Sequence, residues 1–165
     1  MHTLTHALLP VIAVAVDRQR TDDRGTVYWS RGKLCLLALA GALPDLLNPH
    51  LSLQARYTSW SHGLPALLGF AAVLAVIWIL RRKSEERLFF LLLAAAYELH
   101  LWCDLISGGI AWWYPFGSGV AGAYYISPKL WVPLDIACLL LVYFIYRAIP
   151  NFCKWCERRK KFTLW

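Results

Sequence analysis

The sequence predicts an all-α fold, a polytopic membrane helical bundle of about five membrane segments with its N-terminus outside and its C-terminus cytoplasmic. Of the 165 residues, 59% are hydrophobic, against roughly 45–50% in soluble domains. Only 16% are charged, and these gather between apolar runs instead of marking amphipathic faces. Basic charge also alternates from loop to loop, which fixes an orientation.

The apolar runs fall at 3–16, 33–47, 62–80, 88–107 and 131–149. The first two are short, about 21 Å at 1.5 Å per residue, so they either tilt within a bundle or dip partway across. Nothing basic precedes Arg18, which favours an uncleaved first helix over a signal peptide. The third carries no charge from Gly63 to Leu80, close to the ~20 residues that cross a hydrocarbon core. Pro10, Pro44, Pro65 and Pro133 interrupt the segments, as membrane helices tolerate when neighbours satisfy the freed carbonyls. Pro44 biases Leu43 away from helix, so Asp45 is expected at a break.

The loop after the first segment holds Arg18, Arg20, Arg24, Arg31 and Lys33, and the loop after the third holds Arg81, Arg82, Lys83 and Arg87. The end of the chain holds Arg147, Lys154, Arg158, Arg159, Lys160 and Lys161. Of the 17 basic residues, only Arg56 and Lys129 fall on the other face. The positive-inside rule then puts those three regions in the cytoplasm. The same placement removes a nucleic-acid reading of the net charge of +7. Residues 1–150 read as one membrane-embedded domain and 151–165 as a basic cytoplasmic tail. In that tail Cys153 and Cys156 form a CxxC that lacks the second ligand pair of a zinc site. Cys35, Cys103 and Cys138 read as small hydrophobes. The outer loops, 48–61 and 108–130, are rich in Tyr and Trp, as at a membrane interface. No internal repeat is present, which argues against the inverted-repeat plan of transporters.

Ionisable groups inside apolar segments are costly and mark function. Here they are His6, Asp45, His62, Glu98, His100, Asp104 and Asp135. All fall toward the outer ends of their segments, an agreement the charge argument did not require. His100 and Asp104, four apart, share one helix face and form a two-point clamp suited to a divalent ion. Tyr97 lies on the same face and can support it. His2 and His50 read as interfacial. Asp135, beside Pro133, is either part of the site or a charge complementing a helix N-terminus.

Thr5-His6, Leu43-Pro-Asp45, Ser61-His62-Gly, His100-x-x-x-Asp104 with Gly108, and Trp113-Tyr-Pro115-Phe run in an order that resembles the YdjM-type inner-membrane metal-dependent hydrolases. The resemblance spans roughly residues 1–118. Through that family it looks distantly similar to zinc-dependent phospholipase C and the P1-type nucleases. It implies one metal held by Asp45, His62, His100 and Asp104, and a second shared through Asp104 with His6. Zinc is the first expectation, with manganese or iron as alternatives. There are departures. Leu47 stands where a second Asp often follows Pro-Asp, and Tyr57-Thr-Ser59 stands where His-Arg-Gly is usual. The resemblance implies a hydrolase in which Asp45 orients or deprotonates the attacking water. The alternative is a non-catalytic metal-binding membrane protein with a regulatory or structural partner. Counting 1.5 Å per residue from the cytoplasmic helix ends puts these groups within the outer leaflet of a core ~30 Å thick. A membrane lipid or lipid-linked substrate, met from the periplasm or exterior side of the inner membrane, follows from that depth.

Overall fold

The computed structural model describes residues 3–17, 29–49, 52–81 and 86–148. Its α-helices are α1 (Thr3–Ala13), α2 (Arg31–Leu47), α3 (Leu53–Tyr57), α4 (Leu64–Arg81), α5 (Arg87–Ile106) and α6 (Trp131–Tyr143). No strand occurs among these residues. Two isolated bridges, Ser107 to Tyr124 and Ile110 to Ala121, fold the α5–α6 loop onto itself. His2, His50, Arg18, Arg20, Arg24, Arg82, Lys83 and the tail with Cys153 and Cys156 lie outside the described residues.

Three stretches are long and apolar enough to cross a membrane: Leu64–Arg81, Arg87–Ile106 and Pro128–Ala148. The last joins a 3₁₀ turn, α6 and a π turn. Of the five expected segments, α1 has 11 residues and α2 has 17, about 16 and 25 Å at 1.5 Å per residue. Both are held by neighbours, because α1 packs on α2 and α6, and α2 packs on α5.

The helices differ sharply in what they bury. α4 buries Leu74 alone and α6 buries Cys138 alone. Leu68, Val73, Ile79, Ile136 and Leu139 are all more than half exposed. Helices apolar on every side and left uncovered are membrane spans, since in water such a surface would drive association. α2 and α5 instead form the packed interior, with Leu37, Ala40, Phe89, Leu93 and Ala96 in one cluster.

Contacts at the two ends of the bundle set its polarity. At one end Lys33 lies over the Phe89 ring at 5.6 Å, Arg87 over the Trp78 ring at 5.9 Å, and Arg81 pairs with Glu86 at 3.6 Å. The opposite end gathers the start of α1, the end of α2, the turn before α4 and the end of α5. It also carries the exposed aromatics Trp60, Trp113, Phe116 and Tyr125.

One expectation is corrected. α2 does not break before Asp45 but runs through Pro44 to Leu47. The buried Pro44 carbonyl accepts from the Ser61 hydroxyl at 2.7 Å and from Asn48 N at 3.3 Å. The bond from Asn48 is the usual closure of the last turn, and Ser61 adds a second donor to the same carbonyl, fastening the helix end to the turn before α4.

Candidate metal centre

Asp45 comes from the last turn of α2, His62 from the 3₁₀ turn Trp60–His62 that leads into α4, and His100 and Asp104 from successive turns of α5. One donor atom from each lies within 4.8 Å of every other, a group that could hold a metal ion. The separations are informative. Asp45 Oδ1 is 3.1 Å from His62 Nε2 and 3.6 Å from His100 Nε2. Asp104 Oδ2 is 3.3 Å from His100 Nε2 and 3.5 Å from His62 Nε2. The two Nε2 atoms are 3.3 Å apart. Nitrogen and oxygen ligands arranged tetrahedrally at 2.0–2.1 Å from an ion have mutual separations of about 3.3–3.4 Å. These five distances bracket that value.

The imidazoles are also oriented for the task. His100 Nδ1 is 2.7 Å from the Gly41 carbonyl, which can only accept, so Nδ1 carries the proton and Nε2 presents its lone pair. His62 Nδ1 donates to Ser59 Oγ at 2.8 Å. Ser59 in turn donates to Ser61 Oγ at 3.0 Å, and Ser61 donates to the Pro44 carbonyl. Asn48 Nδ2 adds a second donor to Ser59 Oγ at 2.9 Å. Relays of this kind fix the tautomer of metal-ligating histidines and raise their basicity. The two Nε2 atoms lie 3.3 Å apart beside two carboxylates, a grouping that a cation placed between them would hold together. Neither Asp104 oxygen makes a well-formed hydrogen bond among the described residues; Oδ1 is ion-paired with Arg56, while Oδ2 faces the two imidazoles.

Gly41 permits this arrangement. A Cβ there would collide with the His6 carbonyl and come within 2.9 Å of Pro10 Cγ, so only glycine lets α1 lie this close to α2. The approach stacks the His6 ring on His100, with centroids 4.0 Å apart.

His6 itself stands apart from the four donors. Its Nε2 is 3.3 Å from Asp104 Oδ1, the oxygen turned away from His62 and His100. Arg56 is there too, with Nη1 3.3 Å from both Oδ1 and the main-chain carbonyl of Asp104. The second metal that the resemblance implies would therefore have two ligands and a guanidinium as neighbour, and these residues do not fit it.

The remaining candidates hold the scaffold. Tyr97 donates its hydroxyl to the Ser61 carbonyl at 2.6 Å, next to His62. Asp135 accepts from the Thr5 backbone N at 2.9 Å and from the Thr5 hydroxyl. It ties α6 to the residue before His6 and does not reach the four donors. Glu98 is exposed and takes the Trp102 indole at 3.3 Å. The sequence reading did not single out Arg56, Ser59, Gly41 or Thr3, whose hydroxyl donates to Asp45 Oδ2 at 2.6 Å. Arg56 had left one trace, as one of two basic residues on the wrong side of the charge pattern.

No curated protein and no solved structure matches this chain. The profile of the YdjM inner membrane proteins, in contrast, matches residues 1–163. With apolar helices built to span and a buried His/Asp group able to hold a metal, the chain belongs to the YdjM inner membrane protein family.

Proposed function

We propose that the protein is a membrane-embedded, metal-dependent hydrolase that cleaves a phosphoester of a lipid or lipid-linked substrate at the outer leaflet. The observation that carries this reading is the 3.1–3.6 Å spacing of five donor pairs among Asp45, His62, His100 and Asp104. One ion is the reading, with zinc favoured by the mixed nitrogen and oxygen donors and manganese or iron compatible with them. Such an ion supplies Lewis acidity, withdrawing charge from a phosphoryl oxygen and acidifying water.

The four donors are unequal. The side chains of His62, His100 and Asp104 are at most 1% exposed, whereas that of Asp45 is 15% exposed. Catalytic sites keep three protein ligands and an exchangeable fourth position, and Asp45 stands at that position. Its Oδ1 is the atom suited to orient an attacking water or take its proton, while Thr3 steadies Oδ2. Arg56, at the far side of Asp104, adds fixed positive charge that favours an anionic substrate. The orientation, with the N-terminus outside and the site toward the periplasm, is supported by the gathering of Arg31, Lys33, Arg81, Arg87 and Arg147 on the helix ends opposite the donors.

A second reading has its own support. Four protein donors fill a tetrahedral ion, as structural sites do, which fits a non-catalytic metal-binding protein with a regulatory partner. Elemental analysis of the purified protein, paired with phosphate release from phospholipid and lipid-linked pyrophosphate in micelles, separates the two. The hydrolase reading expects one metal per chain, with turnover. His100→Ala loses both, whereas His6→Ala keeps the metal. Metal without turnover selects the second reading, and folded protein that binds no metal ends both.

A further inference from the structure

A cavity of about 470 Å³ opens beside the donor group, and none of the roles above uses it. Its lining includes Leu47 and Trp60, each two residues along the chain from a donor, and Phe116 of the α5–α6 loop, but none of the donors themselves. From there it follows α4 past Ala66, Gly69 and Phe70 to Val73. Tyr97 closes the far wall, and its hydroxyl is already committed to the Ser61 carbonyl. The walls are otherwise apolar, so a sugar, nucleotide or peptide backbone entering here would leave its polar groups unpaired. The direction matters as well. The cavity starts at the donor end and descends toward Arg81 along a helix that buries only Leu74, which puts it alongside hydrocarbon.

Its dimensions narrow the occupant. Pro65 to Val73 covers about 12 Å at 1.5 Å per residue. An extended hydrocarbon chain fits an apolar groove of that length that lies along α4, where bilayer hydrocarbon is the surrounding medium. We propose that the cavity seats one hydrocarbon chain of a lipid whose phosphate end lies at Asp45 and His62. This rests on the hydrolase reading and sharpens its substrate class to lipids with a long chain next to the scissile group.

Gly69 gives a clean test, because a Cβ added there meets nothing within 4 Å. The probe is phosphatidylglycerol carrying a diazirine in its acyl chain, photolysed with the protein in liposomes and mapped by mass spectrometry. Labels are expected to concentrate on residues 65–73, Trp60 and Tyr97. Gly69→Ala should label as the wild type does. Gly69→Phe should lower labelling about tenfold, the effect of displacing roughly two methylenes, while metal content stays at the wild-type level. Free glycerophosphate should not compete. Labels spread evenly over α4 and α6, labels unchanged in Gly69→Phe, or labels on a neighbouring copy would each overturn the proposal. Hydrolysis of a water-soluble phosphoester keeps the two claims apart. If that activity persists without cavity labelling, this inference fails and the hydrolase reading stands; if the cavity is labelled but nothing is hydrolysed, the chain-binding claim stands alone.

Discussion

α5 and α6 are both long and apolar enough to cross a membrane, yet they meet their surroundings in opposite ways. α5 buries eight residues, among them Tyr97, His100 and Asp104, whereas α6 buries only Cys138. α6 is apolar and exposed on most sides, a surface suited to a bilayer, where its side chains need no protein partner. On α5 the buried polar groups Tyr97, His100 and Asp104 cannot be left to hydrocarbon. Each is matched by an acceptor or an opposite charge on another element, whereas the exposed Glu98 takes Trp102 of its own helix. Hydrophobicity places both helices in the membrane, but specificity in this protein is written in the polar contacts of α5.

Substitutions along the two helices can break or sharpen that contrast. The largest effect is expected from Asp104→Ala, which removes the metal donor and leaves the buried Arg56 without its carboxylate. Stripping one partner from a buried ion pair costs about 3–5 kcal/mol, to be read as a large drop in thermal stability in detergent together with loss of metal. Ser59→Ala should be milder. Without touching a ligand, it removes the nearer acceptor of the His62 Nδ1 proton and leaves Ser61 Oγ at 3.1 Å. Metal affinity should fall about 10-fold, the low end of the effect of such partners, measured by competition with a chelator. Leu139→Ala on α6, 51% exposed, should change stability by no more than about 0.5 kcal/mol. A large loss there would mean that a protein surface, not lipid, covers α6.

Much of this was legible before any coordinates. The apolar runs located the helices to within a few residues, because membrane spans are defined by length and composition. The His100–Asp104 pair was visible as a helical repeat, and Asp45 and His62 joined it once loop charges had fixed which helix ends lie together. Three features were not visible for physical reasons. Pro44 suggested a break from local sterics, but α2 runs through it to Leu47, and Ser61 fastens the Pro44 carbonyl from outside the helix. Gly41 looks like any small residue until α1 is laid against it. Ser59 and Ser61 look like any short polar side chains in a loop, and only the fold turns their hydroxyls into a relay behind His62. Arg56 is the instructive case. In a chain whose basic residues obey the positive-inside pattern almost without exception, an exception deserved a search for a buried acid. Lys129, the other exception, is exposed and shows that the signal is not infallible.

The contacts between α1 and α6 bear on how the site is closed. α1 has only 11 residues. Its start is fastened by Asp135 to Thr5, and its end by the Tyr146 hydroxyl, which donates to the Val11 carbonyl at 3.0 Å. These partners are 130 and 135 residues apart along the chain. The loop they close contains all four metal donors. The seat of α1, and with it the His6 ring on His100, therefore depends on contacts of high sequence separation, the kind whose closure costs the most chain entropy.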